Sequence, residues 1–175
     1  MATMILLPDD TGTVTAHWAI VGESTHHEAL QSDDGGTSYV KCSTDLRNMV
    51  IEFANPSVAE GDIASIDSVR FLSSGKAVHR TDPSLVDIEF EAPTADQFSE
   101  SCSYNAHRTN YETINGTSRT THDGTHDWTY ANLEALELEC IKDGTVEVYL
   151  SYLALEVTYT AAVSADNATF FGANF

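Results

Sequence analysis

The sequence predicts an all-β, antiparallel β-sandwich of jelly-roll-like form, with about eight strands and one short helix near residues 129–138. Three observations carry this. Short runs rich in β-branched and aromatic residues recur between turn clusters of Gly, Pro, Asn and Asp. No strand–helix–strand alternation and no fixed-period repeat points instead to a parallel sheet or a solenoid. Finally, 175 residues with 42% apolar side chains can bury one core of ordinary size and are few for two.

The chain divides into an N-terminal arm (1–10), the sandwich (11–163) and a C-terminal arm (164–175). The first strand signal, Thr11–Val21, is rich in β-branched residues and stops at Gly22. The turn cluster Asp33-Asp34-Gly35-Gly36 leads into Thr37–Ser43. In Asn48–Ala54, Met49, Ile51 and Phe53 share one face, and Asn55-Pro56 ends the strand. Ile63–Ser74 runs into an expected turn at Ser74-Gly75-Lys76. Ser84–Ala92 alternates Val86, Ile88, Phe90 and Ala92 with Asp87, Glu89 and Glu91, the pattern of a strand with one wet face. The middle, 95–127, is weakly apolar, with edge strands expected in Ser101–Tyr111 and Arg119–Thr121. Thr129 is placed to cap the helix, in which Leu133, Leu136 and Glu137 have helical spacing. The longest strand signal, Thr145–Val163, changes parity: Val146, Val148, Leu150 and Tyr152 give way to Leu153, Leu155, Val157 and Tyr159. A two-residue period cannot change face without an inserted residue, so a bulge or bend is expected near Ser151–Leu153, the alternative being a strand buried on both faces.

The charge is lopsided: 27 Asp plus Glu against 8 Lys plus Arg, for a net −19. Nothing basic is clustered for a phosphate backbone or an anionic lipid surface, so neither nucleic acid nor membrane is an expected partner. No run approaches the roughly 18 apolar residues of a membrane span, and Met1–Leu7 lacks the charged start and long apolar stretch of a signal peptide. Synthesis in the cytoplasm is therefore expected. Scarce lysine and abundant Asp and Thr resemble a salt-adapted composition. About 1 M salt shortens the screening length to about 3 Å and removes most self-repulsion. Lowering the salt to about 0.05 M is expected to lower the melting temperature by several degrees; a calorimetric melt indifferent to salt would remove this reading.

No catalytic residue, cofactor or metal ligand is assigned. The nucleophile elbow G-x-S-x-G is missing, and Ser74-Gly75-Lys76 lacks the flanking residues of a phosphate loop. With so many carboxylates, chance acid pairs carry no weight. His122-Asp123-Gly124-Thr125-His126-Asp127 places two histidines four apart, but Asp-Gly-Thr reads as a turn that spoils helical register, leaving an exposed polar loop. His26-His27 point to opposite sides of an extended chain, and Asp33-Asp34-Gly35-Gly36 lacks the ligand pattern of a calcium loop. Cys42, Cys102 and Cys140 form no C-x-x-C pair and are taken as free thiols, Cys140 as a buried small hydrophobe. Asn115-Gly116-Thr117 and Asn167-Ala168-Thr169 match the glycosylation sequon.

One resemblance covers about residues 25–160. Asp33-Asp34-Gly35-Gly36-Thr37-Ser38-Tyr39-Val40, a Pro at 56, Ile66-Asp67-Ser68-Val69, Asp127-Trp128-Thr129 before a short helix, and the long strand Val146–Tyr159 resemble small β-sandwich structural proteins of tailed viruses. The resemblance implies a non-enzymatic capsid decoration or cement protein on the virion surface. It implies docking on the major capsid protein and on sister subunits, as a homotrimer. Met4, Ile5, Leu6 and Leu7 in the first arm and Phe170, Phe171 and Phe175 in the second would form the interface. Two alternatives stand beside it. One is a tail or fibre protein contacting a host receptor through the loop Asn105–Thr125, with Tyr104, Tyr111, Trp128 and Tyr130 as a platform for sugar. The other is a carbohydrate-binding sandwich module.

Overall fold

The computed structural model describes residues 1–78, 84–91, 98–104, 110–143 and 146–163, with 84–91 and much of 98–104 described by backbone pairing alone. The described residues form two antiparallel sheets packed face to face, the sandwich predicted from the sequence. One sheet holds β3 (Trp18–Val21), β4 (Tyr39–Cys42), β11 (Glu147–Ala161), β6 (Ile63–Val78) and β9 (Glu112–Asn115) in that order, with β1 (Ala2–Leu6) also paired to β11. The other runs β2 (Pro8–Val14), β5 (Arg47–Phe53), β10 (Glu137–Asp143), β7 (Ser84–Glu91) and β8 (Phe98–Tyr104). The core lies between them, lined by Met49, Ile51, Phe71, Leu138, Leu150 and Leu155.

The expected bulge is present. Leu150 pairs with Gly75 and Tyr152 with Ser74, so Ser151 is the extra residue. Through it β6 keeps one parity inward (Val69, Phe71, Ser73, Gly75, Ala77). On β11 the inward set changes from Val148 and Leu150 to Leu153, Leu155 and Val157. The bulge resolves the conflict between a two-residue period and a parity change by bending the strand.

Several expectations are corrected. The N-terminal arm is part of the sandwich: β1 pairs with β11 from Ala2↔Tyr159 to Leu6↔Leu155, and β2 pairs with β5. Met4 and Leu6 are in the core, and of the four interface residues expected in this arm only Ile5 and Leu7 stay exposed, at 43% and 38%. Their alternation is that of a strand with one wet face. Phe170, Phe171 and Phe175 lie outside the described residues. Thr11–Val21 is two strands in different sheets, separated at a turn where the Thr15 carbonyl accepts from the amides of His17 (2.7 Å) and Trp18 (3.3 Å). Ser74-Gly75-Lys76 is no turn, since β6 runs through it to Val78. Helix α1 is only Tyr130–Glu134, closed by a capping box between Thr129 and Asn132. Leu136, Leu138 and Cys140 alternate as a strand does, and that pattern overrides the helical spacing of Leu133, Leu136 and Glu137.

The edge strand expected in Ser101–Tyr111 is β8, at one end of its sheet. In place of the strand expected at Arg119–Thr121, Arg119 bridges to Val69 and Thr121 to Asp127 as isolated pairs. The side chains of Val86, Ile88 and Phe90, and Ala92 altogether, lie outside the described residues. Cys42 and Cys140 are buried free thiols.

Candidate functional site

In β4, Val40 and Cys42 are buried, so Tyr39 and Lys41 take the outer face of the sheet. In β11 before the bulge, Val148 and Leu150 face inward and Glu147 and Tyr149 outward. In β6, Lys76 lies outward between inward-facing Gly75 and Ala77. Strand register then sets Lys41, Tyr149 and Lys76 in one cross-strand row. The Tyr39 and Tyr149 rings lie 5.3 Å apart at 54°. The Lys76 ammonium sits 5.3 Å from the Tyr149 ring centre and 4.4 Å from that of Tyr111, and Lys41 lies 6.0 Å from Tyr149. These are cation–π distances, favourable for a charge against the electron-rich ring face.

Tyr111 is held by the turn expected at residues 33–36. The Asp34 carboxylate accepts from the amides of Gly36 (3.0 Å), Thr37 (2.9 Å) and Ser38 (3.0 Å) and from the Ser38 hydroxyl (2.8 Å). Burial works to raise the Asp34 pKa, but these donors from Ser38, Thr37 and Gly36 outweigh it and hold the carboxyl below its usual value. Gly36 has φ +89° and a Cβ there would lie 2.0 Å from the Tyr111 ring, so only glycine allows this approach. Between this turn, β6 and the segment entering β9 lies an open cleft of about 420 Å³, lined by Asp33, Ser74, Lys76, Asn110, Tyr111 and Thr113.

The electrostatics single out Lys76. Of the three lysines in the chain, Lys142 is fully buried in β10, and Lys41 pairs with Glu147 at 3.5 Å. Lys76 makes no ion pair among the described residues, in a chain of net charge −19, and its ammonium is directed into the cleft. Burial, with the hydrogen bond to Glu147 second, pushes the Tyr149 phenol up to about 12. Burial, then the neighbouring phenols of Tyr39 and Tyr149, raises Tyr111 further. Both hydroxyls therefore stay protonated donors at any physiological pH.

The aromatic residues expected to form a platform are placed differently. Tyr104 is fully buried between the sheets, and Trp128 is buried with its indole N–H donating to the Arg119 carbonyl at 2.9 Å. The Tyr130 hydroxyl donates to the Val58 carbonyl at 3.2 Å. Only Tyr111 reaches the cleft; Tyr39, Tyr149 and Lys76 were not anticipated. Their signal was parity: Tyr39 and Lys41, and Glu147 and Tyr149, alternate with the apolar residues of their strands.

The histidine readings divide. His26 Nε2 lies 3.0 Å from the Trp18 carbonyl oxygen and His27 Nδ1 lies 3.1 Å from the Thr11 hydroxyl, so these neighbours serve separate local contacts. The turn at 122–126, expected to separate its histidines, instead brings them together: the His122 and His126 rings stack at 5.9 Å, with Asp123 between their nitrogens. Donation from the His126 amide and ring, and from the Thr125 amide, holds the Asp123 carboxyl well below the usual range.

No protein-family model and no curated protein matches the sequence. Among solved structures, a family 16 carbohydrate-binding module is similar at 17% identity and TM-score 0.45, over 80% of this chain and 86% of that one. A family 22 xylan-binding domain from Paenibacillus barcinonensis is similar at 11% identity and TM-score 0.46, over 89% and 99%. A family 11 module from Clostridium thermocellum, in complex with a mixed-linked tetrasaccharide, is similar at 11% identity and TM-score 0.45, over 88% and 86%. Likeness at this level says nothing about a ligand.

Proposed function

We propose that the protein is a non-catalytic binding module that holds a saccharide in the cleft lined by Tyr111 and Lys76, beside the Tyr39–Tyr149 ring pair. The observation that carries this is the chemistry of the lining. Tyr111 in the lining, with the Tyr149 ring on the other side of Lys76, supplies an aromatic surface for the C–H side of a sugar ring. Lys76, Asn110 and Thr113 donate to hydroxyls and Asp33 accepts from them, a mixed set in an open groove. Hydroxyl-rich ligands demand this pairing of donors and acceptors beside an apolar face. No nucleophile or acid–base pair is assigned in the cleft, and binding alone requires none.

The test is calorimetric titration of the full chain against a panel of neutral and uronate-containing polysaccharides. At least one is expected to bind. Tyr149→Ala should weaken that binding about tenfold or more, the equivalent of roughly 1.4 kcal/mol, while the melting temperature stays close to that of the parent. Absence of binding to every glycan, or equal affinity in the variant, would reject the cleft as the site.

Docking on a viral shell remains the rival proposal. It rests on the resemblance and places the interface at two apolar ends; β1 puts Met4 and Leu6 in the core and leaves Ile5 and Leu7 exposed at the first, while Phe170, Phe171 and Phe175 lie outside the described residues. A chain that ignores glycans yet is found in many copies in purified particles would favour the rival.

A further inference from the structure

We propose that His122, Asp123 and His126 form a binding site for a divalent transition metal of the zinc class, fastening the turn between Thr121 and Asp127. The turn is built around the Asp123 carboxylate. Its Oδ1 accepts from the amides of Thr125 (2.8 Å) and His126 (2.6 Å), Gly124 takes φ +79°, and the His122 amide donates to the His126 carbonyl at 3.0 Å. A backbone bridge between Thr121 and Asp127 closes it. With Oδ1 occupied by the turn, Oδ2 faces both imidazoles: His126 Nδ1 at 2.5 Å and His122 Nε2 at 3.9 Å.

One ligand atom from each residue thus lies within 4.8 Å of the others. Tetrahedral bonds of about 2.0–2.2 Å require ligand atoms roughly 3.4 Å apart. Reaching that spacing requires the Asp123–His126 contact to open and His122 to move inward. Two imidazoles and one carboxylate are a donor set suited to zinc and its neighbours, and poorly suited to magnesium or calcium. Three protein ligands leave a coordination position for water.

The Asp123–His126 hydrogen bond alone accounts for two of the three residues. It leaves His122 unexplained. The His122 side chain is only 12% exposed, set between the stacked His126 ring and the edge of Trp128, whose ring centre is 6.0 Å away. Its Nδ1 is buried with no partner, and Nε2 makes no hydrogen bond, the 3.9 Å approach to Asp123 being too long. A ring nitrogen buried without a partner is unfavourable. A metal bound at Nε2 gives the other nitrogen a ligand and offsets part of the cost of holding the ring in this position.

Cobalt(II) is the probe, because it reports its own coordination. Titration of the full chain is expected to saturate at one equivalent with the visible bands of a nitrogen- and oxygen-ligated ion, to quench Trp128 emission, and to be reversed by zinc. Loss of outer-shell partners already weakens metal sites about 10–100-fold, and His126→Ala, which removes a ligand that is 73% exposed, is expected to cost at least as much without harming the fold. Asp123→Asn, which retains an Oδ1 acceptor for the turn, should weaken binding similarly, whereas His26→Ala should not. Affinity no tighter than millimolar, unquenched Trp128, or unaltered binding in His126→Ala would each overturn the assignment.

Discussion

Phe71→Ala is expected to remove about 3–5 kcal/mol of folding free energy, measured by urea denaturation with an unchanged slope. Phe71 is fully buried on β6, opposite Leu155, where deletion of the ring leaves a cavity in packed surroundings. Its neighbour Gly116 makes the test specific. The Gly116 amide donates to the Phe71 carbonyl at 2.9 Å, and a Cβ on Gly116 would meet three atoms of the ring at 2.5–2.9 Å. Gly116→Ala alone should therefore cost about 1–3 kcal/mol through overpacking. In the Phe71→Ala background the added methyl enters the cavity, and its cost should fall close to zero. A coupling energy of about 1 kcal/mol or more is expected for residues in contact. Additive losses would show that ring and glycine do not share one space.

The order of strands and the site differed in how far they could be read from the sequence. Alternation identified β5 and β11, and the parity change at Ser151 was legible because a two-residue period admits few explanations. Boundaries were lost where tertiary partners decide. Gly75 in a Ser-Gly-Lys run reads as a turn until the buried Tyr104 ring from the facing sheet is placed over it. The arm was misread for a similar reason: Met4 and Leu6 gain their burial from β11, some 150 residues along the chain, and no local signal announces that pairing. The cleft was half legible. Tyr39 and Tyr149 occupy wet-face positions that parity gives, but their adjacency depends on the register between β4 and β11. The 122–126 turn was recognised as a turn, yet helical spacing was the wrong test of its histidines. A tight turn can bring residues four apart face to face as effectively as a helix does.

Gly75→Ala is expected to destabilise the fold by about 3 kcal/mol and to weaken the cleft as well. A Cβ at Gly75 would lie 2.8 Å from Cε1 and Cζ of Tyr104 and 2.8 Å from the backbone oxygen of Tyr149. Neither can withdraw cheaply. The Tyr104 hydroxyl donates to the Ser73 hydroxyl at 2.8 Å, which donates to the Ile114 carbonyl at 3.1 Å, so the fully buried ring is tied at its far end. The Tyr149 carbonyl belongs to the central strand pair of its sheet. Strain must then pass into β6 and β11, whose outer faces carry Lys76 and Tyr149. Two readouts separate this route from general softening. Phe71→Ala, further from the cleft along β6, should lower stability while leaving the affinity of the folded protein near that of the parent. Gly75→Ala should lower both, with glycan affinity compared at temperatures where each variant is fully folded. A Gly75→Ala chain that loses less than about 0.5 kcal/mol, or that binds as the parent does, would show that the inner face of β6 does not set the geometry of its outer one.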